Sequence, residues 1–418
     1  MRWLKGILKV LIALFILVVL IIAVAFWMLS QEKYQNQLVH KATSYLSDKL
    51  KTPVDVKHVS LTLFNQFNIE GVYIADEKKD TLAYVGALQL KTSELLSAWW
   101  YNETPVIHHL GLNNVYVNLN RGHDSTRWNY DFISEAFSSN SNTDTTTADT
   151  IDVATNHAPE AILDLKNLHL DGVRFIMNDA WRGEDMRFAI QTLDLAVNKF
   201  QLDKKKIELE HLTIETAKIL VREYEGGKPE DNTPDDTTTW GTPFNPELFQ
   251  VNAHQIKIAS SEFDYIVDGF QSKKNEFDEE NLRISNLNIS LSETHVLADT
   301  IYSTIESLTA KERCGIEIKE LKAKAKVSQV QSLLYDMTLR TNESFLADRY
   351  EMRYKNFHDF NNYLEKVVMN VHLNNSKVSS HDIAYFANVL NEYPISIDIS
   401  GYAHGTVANL YAQNIALH

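Results

Sequence analysis

The pattern of hydrophobic and polar positions changes character near residue 30. Val10–Leu29 is a run of twenty residues without a charge, long enough to cross the hydrocarbon core of a bilayer as a helix. Arg2, Lys5 and Lys9 precede the run, and positive charge stays on the cytoplasmic side of a membrane. We therefore expect residues 1–30 to be a single transmembrane anchor, with the N-terminus in the cytoplasm and the rest of the chain outside it.

A cleaved signal peptide is the alternative interpretation of this segment. The apolar core of a signal peptide would be shorter and would end at small residues, whereas this run ends Phe26-Trp27-Met28-Leu29. Trp27 and Tyr34 are typical of the aromatic residues that lie at a membrane interface. The sequence therefore favours an uncleaved anchor.

The segment after the anchor has helical periodicity. Apolar residues recur every four positions from Tyr34 to Leu50, and Thr52-Pro53 ends the pattern. We expect an amphipathic helix within residues 31–52, which either lies on the membrane surface or packs on the first strands.

From Val54 onward the dominant period is two. Leu193, Leu195 and Val197 alternate with polar residues, and similar alternation recurs along residues 53–418. Such alternation is typical of antiparallel sheets that have one apolar and one polar face. We therefore expect residues 53–418 to be a mostly β domain.

Two short segments break the β pattern. Ser93–Trp100 and Ser380–Leu390 have apolar residues at helical spacing, so we expect a short helix at each. Ser380 and Asp382 are the candidate N-caps of the second helix.

A degenerate pattern, apolar-x-x-apolar-x-apolar, recurs along the β region. Its first residue falls at five positions, with steps of 43, 58, 44 and 44 residues: Ile69, Leu112, Leu170, Ile214 and Ile258. The break inside each copy predicts a kink or bulge that keeps one face apolar. The even spacing predicts a stacked repeat of about four strands per unit. Two polar segments, near residues 138–159 and 223–241, are expected to be loops.

The inward, apolar positions of the predicted strands are candidate binding residues. From the alternation we select Val117, Phe175, Leu195, Ile219 and Val267. A curled sheet left open along one side would expose such residues in an apolar trough, which lipid tails would fill. Trp99 and Trp100 would either plug the core of the first repeat or lie at the mouth of the groove beside the bilayer.

Composition excludes several functional classes. The 418 residues carry a net charge of −15, which argues against a nucleic-acid partner. The single cysteine, Cys314, cannot form an intramolecular disulfide. His108-His109 cannot chelate one metal ion, because neighbours on a strand point to opposite faces. With no catalytic motif in the sequence, we expect a protein that is not an enzyme and has no cofactor or metal site.

Several of these segments resemble a known family. After the anchor and the amphipathic helix, Thr52–Val59 and Phe67–Asp76 resemble the N-terminal region of TamB- and AsmA-like envelope proteins of Gram-negative bacteria. Ser380–Phe386 and Ile397–Leu410 are similar to TamB-like proteins of the Bacteroidota type, in which a short helix with Asp-x-x-Tyr-Phe precedes a strand pair. The resemblance covers essentially the whole chain.

The resemblance implies an elongated, curled antiparallel β groove, apolar inside, that is anchored in the inner membrane and lies in the periplasm. The implied function is to carry phospholipids between the envelope membranes and so support outer-membrane biogenesis. An outer-membrane assembly protein of the Omp85 type is the implied further partner. TamB-like chains are usually much longer, so this chain is expected to be a partial copy.

A non-enzymatic scaffold, or assembly factor for outer-membrane proteins, is the alternative to the lipid carrier. Its strands would pair with another chain at an open sheet edge. The two functions predict different inner faces. A continuously apolar face would favour the carrier, whereas inward charges would favour the scaffold.

Overall fold

The computed structural model describes the following residues: 35–62, 66–93, 106–138, 162–201, 204–229 and 245–417. The predicted anchor at Val10–Leu29 lies outside these ranges, as does the predicted helix after Ser93. Among the described residues, no helix combines the length and the apolarity needed to cross a bilayer.

The described residues form two compact units. The first comprises the described residues up to Met186 together with Gly226–Lys228. The second comprises those of Arg187–Glu225 and Pro229–His418. Both units consist mainly of β-strands, with a few short helices, which confirms the prediction of a mostly β fold.

A helix comes first among the described residues of the first unit. Helix α1 spans Gln35–Leu50, inside the predicted amphipathic segment, and its residues Leu46 and Leu50 are buried. Ser47 ties the helix to the first strand, because its Oγ accepts a hydrogen bond from the Val54 amide (2.9 Å).

Strands β1 to β6 follow: β1 (Val54–Asp55), β2 (His58–Thr62), β3 (Gln66–Ala75), β4 (Thr81–Ser93), β5 (Val106–Arg121) and β6 (Ile162–Asp179), with helix α2 (Asp131–Ser138) before β6. Strands β1 and β2 both pair with β3, and β3, β4 and β5 pair antiparallel in succession. Their apolar positions meet in register. Ile69, Leu88 and Leu112 lie side by side and are at most 5% exposed, so this unit has a closed core.

The second unit contains most of β7 and all later strands: β7 (Glu184–Gln201), β8 (Lys206–Glu223), β9 (Gln250–Val267), β10 (Asn281–Leu297), β11 (Thr300–Glu312), β12 (Glu317–Ser328), β13 (Gln331–Arg340), β14 (Phe345–Arg353), β15 (Val368–Ser379), β16 (Ser396–Thr406) and β17 (Asn409–Leu417). From β9 to β17 each strand pairs antiparallel with the next. Short helices join two of these pairs. A 3₁₀-helix (Phe357–Asn362) and α3 (Tyr363–Lys366) precede β15, and α4 (Ser380–Ala384) with a 3₁₀-helix (Asn388–Glu392) precedes β16.

Parallel strand pairs occur among the described residues, which corrects the prediction of an antiparallel sheet throughout. Strand β5 pairs in parallel with β6, and β8 pairs in parallel with β9. Parallel neighbours need a long crossover, and the connections 122–161 and 224–249 supply the required length. The two polar segments that we expected to be loops, near residues 138–159 and 223–241, lie largely outside the described residues.

Each copy of the repeated pattern contains a residue in the left-handed region, at its third position. The φ values are +65° at Gly71, +51° at Asn114, +65° at Gly172, +55° at Thr216 and +51° at Ser260. This left-handed residue breaks the alternation, so that both halves of the strand present apolar side chains to one face. The predicted kink inside each copy is therefore confirmed.

The copies themselves are arranged differently from the predicted repeat. Leu112 lies opposite Leu170, and Ile214 lies opposite Ile258, so two pairs of copies are neighbours in register. Successive copies of the pattern therefore lie one or two strands apart in the sheet. These strands are long: β6 and β8 each have 18 residues. The prediction of about four short strands per unit is wrong, because strands of this length use most of each step.

The helix predicted at Ser380–Leu390 is shorter than expected. It ends at Ala384, and its N-cap is Ser379, which precedes both predicted cap residues. Asp382, one of those two, instead accepts hydrogen bonds from the turn between β13 and β14. These bonds hold the segment against neighbouring strands.

Thr216 offers a test of the backbone strain at these left-handed positions. A β-branched residue in the left-handed region at φ +55° is strained by about 1–2 kcal/mol relative to glycine. We expect Thr216→Gly to raise the free energy of unfolding by about 1 kcal/mol, because the flexibility of unfolded glycine offsets part of the relief. Urea unfolding of the detergent-solubilised chain, followed by circular dichroism, measures the change.

Thr213→Gly is the matched control, since Thr213 lies in the same strand without a positive φ. Glycine at an extended position lowers stability by about 0.5–1 kcal/mol. Opposite signs for the two variants are therefore expected. Destabilisation by both would contradict the assignment of strain to residue 216.

Candidate functional site

The apolar face of the second unit is the candidate site, because aliphatic side chains of successive strands meet there in register. One set of partners crosses the seven strands from β8 to β14, and we call it row one. Row one consists of Ile214, Ile258, Ile289, Leu308, Leu321, Leu339 and Leu346. With strands about 4.8 Å apart, the row is about 29 Å long when followed along the sheet.

A second set of register partners crosses the six strands from β12 to β17, and we call it row two. Row two consists of Ala325, Leu334, Tyr350, Val371, Ala403 and Ala412. A buried cluster connects the two rows. Its centre is Leu321, Ala323 and Met337, and the partly buried residues packed around it also belong to strands β11 to β14. Both rows therefore belong to one apolar face.

Most residues of the two rows are only partly buried. In row one, Leu321 alone is buried, at 9% exposure, and the other six residues are intermediate. In the core of the first unit, by contrast, Ile69 and Leu88 are each 1% exposed. Large aliphatic side chains inside a closed core are usually almost completely buried. The described residues of the second unit thus leave apolar surface open on this face.

Charged side chains of the same strands lie on the opposite face and are paired there. Lys322 Nζ lies 2.6 Å from Glu320. Glu351 lies between Arg349 and Arg353. Burial by itself raises the pKa of Glu351, but hydrogen bonds from Arg353 and Arg349 outweigh it and lower the pKa to about 2. This carboxylate is therefore ionised and neutralised on the polar side of the sheet.

Glu312 pairs in register with Ile284, and Asp348 pairs with Met337, but neither acidic residue interrupts the rows. Glu312 lies at the end of β11, where its carboxylate accepts hydrogen bonds from the backbone amides of Arg283 and Cys314. Asp348 lies at a bulge with φ +102°, and its carboxylate lies 2.7 Å from His372 Nδ1. Both carboxylates are occupied by local partners, so the rows are free of charge.

A short segment between β14 and β15 covers part of row two. We call residues Phe357–Lys366 the lid. Tyr363 Oη lies 2.8 Å from Tyr350 Oη, and it also lies 3.5 Å from Met369 Sδ and 3.6 Å from Met352 Sδ. Burial, helped by this hydroxyl contact, raises the pKa of Tyr350. The Tyr350 hydroxyl therefore stays protonated at neutral pH, in contact with the Tyr363 hydroxyl.

Aromatic packing and one backbone hydrogen bond hold the lid in place. Phe360 packs against Tyr354 with ring centroids 4.9 Å apart and against Tyr363 with centroids 6.0 Å apart. At the other side of the lid, the Ala408 amide donates to the Leu364 carbonyl at 2.9 Å. The lid thus rests on the apolar face near the strand ends, between β14 and the turn that follows β16.

The candidate residues selected from the sequence fall into two environments. Val117 and Phe175 are register partners on β5 and β6, and both are buried in the first unit. Leu195, Ile219 and Val267 belong to the second unit and are partly exposed. The alternation alone does not distinguish a closed core from an open face, because both require the same apolar positions.

The four residues expected at a membrane interface, Trp27, Tyr34, Trp99 and Trp100, lie outside the described residues. In the part of the chain that the structure describes, no group of three or more His, Cys, Asp or Glu side chains could hold a metal ion. Cys314 is buried, and burial together with the hydrogen bond to Glu312 raises the pKa of its thiol to about 11. A thiol with so high a pKa is a poor nucleophile at neutral pH.

Sequence reasoning missed how far the apolar face continues. The same apolar-x-x-apolar-x-apolar pattern occurs in β10, β13 and β17. Its third residue again has a positive φ in each of these strands: Asn286, Asp336 and Asn414. These copies lie on antiparallel neighbours, so their spacing differs from the step of about 44 residues that revealed the others.

Comparison with known proteins adds no relative: no family model matches the chain, and no curated protein matches it. The resemblance to TamB- and AsmA-like proteins thus stays a hypothesis based on the residues quoted above.

Tyr363 tests whether the lid shields row two. We expect Tyr363→Ala to release the lid, because the variant loses the ring packing with Phe360 and the contact with Tyr350. The freed apolar surface should increase the fluorescence of an apolar dye bound to the protein, and amide exchange across residues 357–367 should accelerate.

Leu364→Ala is the control for this experiment. The Leu364 side chain is 59% exposed, and its backbone hydrogen bond does not depend on the side chain. Equal dye binding by both variants and by the unchanged protein would show that the lid does not cover this face.

Proposed function

We propose that the chain is an inner-membrane-anchored periplasmic protein whose apolar face carries phospholipid acyl chains between the envelope membranes. Row one is the observation that supports this most directly. It offers about 29 Å of in-register aliphatic surface that is mostly half-buried. The hydrocarbon core of a bilayer is about 30 Å thick and holds two acyl chains end to end. One acyl chain is therefore about half as long as row one and fits along it.

The distribution of charge favours the carrier over the scaffold. Burying an unpaired charge beside an acyl chain would cost several kcal/mol, and neither row contains a charged residue. The charged residues Glu320, Lys322 and Glu351 are paired on the opposite face. A scaffold that adds a strand at a sheet edge relies on backbone hydrogen bonds and needs no extended apolar face. The scaffold remains the second candidate for the function of this chain.

We further propose that the sheet of the second unit curls around its apolar face to form the groove. Bulges increase the local twist of a strand. Left-handed residues occur in β8, β9, β10, β13, β14, β15 and β17. Twist accumulated at so many neighbouring strands favours a curled sheet over a flat one.

A groove of this kind needs access to a membrane, and the proposed anchor at Val10–Leu29 supplies it. Arg2, Lys5 and Lys9 precede the anchor, which supports a cytoplasmic N-terminus and a periplasmic groove. Support of outer-membrane biogenesis, with an Omp85-type assembly protein as a further partner, is the extension that the family resemblance suggests.

The topology is testable with a reporter enzyme that folds only outside the cytoplasm. Fused after Ser30 it should be active, and the same reporter fused before Val10 should be inactive. Activity only of a cytoplasmic reporter at Ser30 would exclude the proposed location. N-terminal sequencing that begins beyond Ser30 would replace the anchor with a signal peptide.

The groove is testable by photo-crosslinking and by a charge placed in row one. A photo-reactive residue at Leu308 or Ile219 should capture phospholipid, and one at Lys322 on the opposite face should not. Leu308→Asp should lower the amount of phospholipid that co-purifies, because a carboxylate beside an acyl chain is unpaired and desolvated.

Ser307→Asp is the matched control for the charge. Ser307 precedes Leu308 on the same strand, is exposed, and points to the polar face. The Ser307→Asp variant should leave the content of co-purified phospholipid unchanged. Equal crosslinking on both faces, or equal lipid loss in both variants, would contradict a groove formed by row one.

A further inference from the structure

The outer face of the first unit carries a depression that the apolar rows do not involve. Tyr73, Tyr84 and Tyr116 are register partners on β3, β4 and β5. Their neighbours Ala83 and Val117 are buried in the core, so the three rings project from the opposite face. Together they line a depression of about 510 Å³.

Three polar side chains line the same depression: Asp80, Thr81 and Asn118. Within the described residues, the structure gives none of these side chains a hydrogen-bond partner. The backbone amide of Asp80, in contrast, is bound to Asp76. A carboxylate, a hydroxyl and an amide are thus free to bind a ligand beside a row of aromatic rings.

We propose that this depression binds a short oligosaccharide of β-1,4-linked pyranose rings. The negative face of an aromatic ring attracts the weakly positive C–H groups on the flat side of a sugar ring. Asp80, Thr81 and Asn118 can then exchange hydrogen bonds with the sugar hydroxyls. Rings on three adjacent strands span about 10 Å, so an extended oligosaccharide can stack along the row.

The size and charge of the depression argue against other ligands. Its volume lies within the range of about 300–1,000 Å³ that is typical of small-molecule sites. A lipid tail would leave three polar side chains unpaired, and a nucleic acid would place its phosphates beside Asp80. A protein partner needs roughly 800 Å² of surface on each side, more than such a depression offers by itself.

The test is a binding titration on the full chain, kept in a detergent without a sugar headgroup. Cellotriose and tri-N-acetylchitotriose are the two probes, and calorimetry measures their affinity. Tyr84→Ala removes the central ring and should weaken binding about tenfold. Tyr84→Phe keeps the ring and should retain most of the affinity.

Two further variants separate binding from folding. Asp80→Ala should weaken binding without affecting stability, because its carboxylate has no partner among the described residues. Tyr335→Ala removes an outer-face tyrosine of the second unit, which is 39% exposed, and should leave the affinity unchanged. Failure of both probes to bind, or equal affinities of Tyr84→Ala and the unchanged chain, would overturn the proposal. The outcome is independent of phospholipid binding, which Tyr84→Ala should not alter.

Discussion

The constraint on which this structure depends is that apolar side chains must stay on one face along strands of up to 18 residues while they remain in register with their neighbours. Where the apolar positions change from odd to even numbers, a regular strand would turn half of its apolar residues towards water. Left-handed residues such as Gly71, Thr216 and Asn286 lie at these points and keep both halves of the strand apolar on one face. Because Leu112 and Leu170, and likewise Ile214 and Ile258, lie opposite each other, neighbouring strands change parity together. The apolar surface is thereby kept continuous across strands.

The same apolar pattern forms a buried core in the first unit and a partly exposed face in the second. In the first unit the in-register residues, Ile69 and Leu88 among them, are sealed in a core, and the outer face carries the tyrosine depression. In the second unit the equivalent residues form rows that remain half-exposed, and the charges are paired on the other side of the sheet. The local rules are the same in both units. The difference lies in how far the apolar face is covered. In the second unit the lid covers part of row two.

Much of this organisation is readable from the sequence. The period of two predicts the strands, and the break in apolar-x-x-apolar-x-apolar predicts the bulges at the residues where a positive φ is found. Strand direction is not encoded in this pattern, since Leu112 and Leu170 would look alike on parallel or antiparallel neighbours. Burial is not encoded either, because Val117 in a closed core and Ile219 on an open face have the same alternation. The lid is visible in the sequence as an aromatic residue at every third position from Tyr354 to Tyr363. Its contact with Tyr350 depends on the tertiary structure and could not be predicted from this spacing.

The central claim is that the half-exposed face of the second unit is a binding surface for acyl chains. Native mass spectrometry of the chain, extracted in a mild detergent and kept folded, tests it most directly. We expect mass additions that match intact phospholipids and that persist after detergent exchange. A folded protein that carries no phospholipid after gentle extraction, and takes up none from added vesicles, would contradict the account.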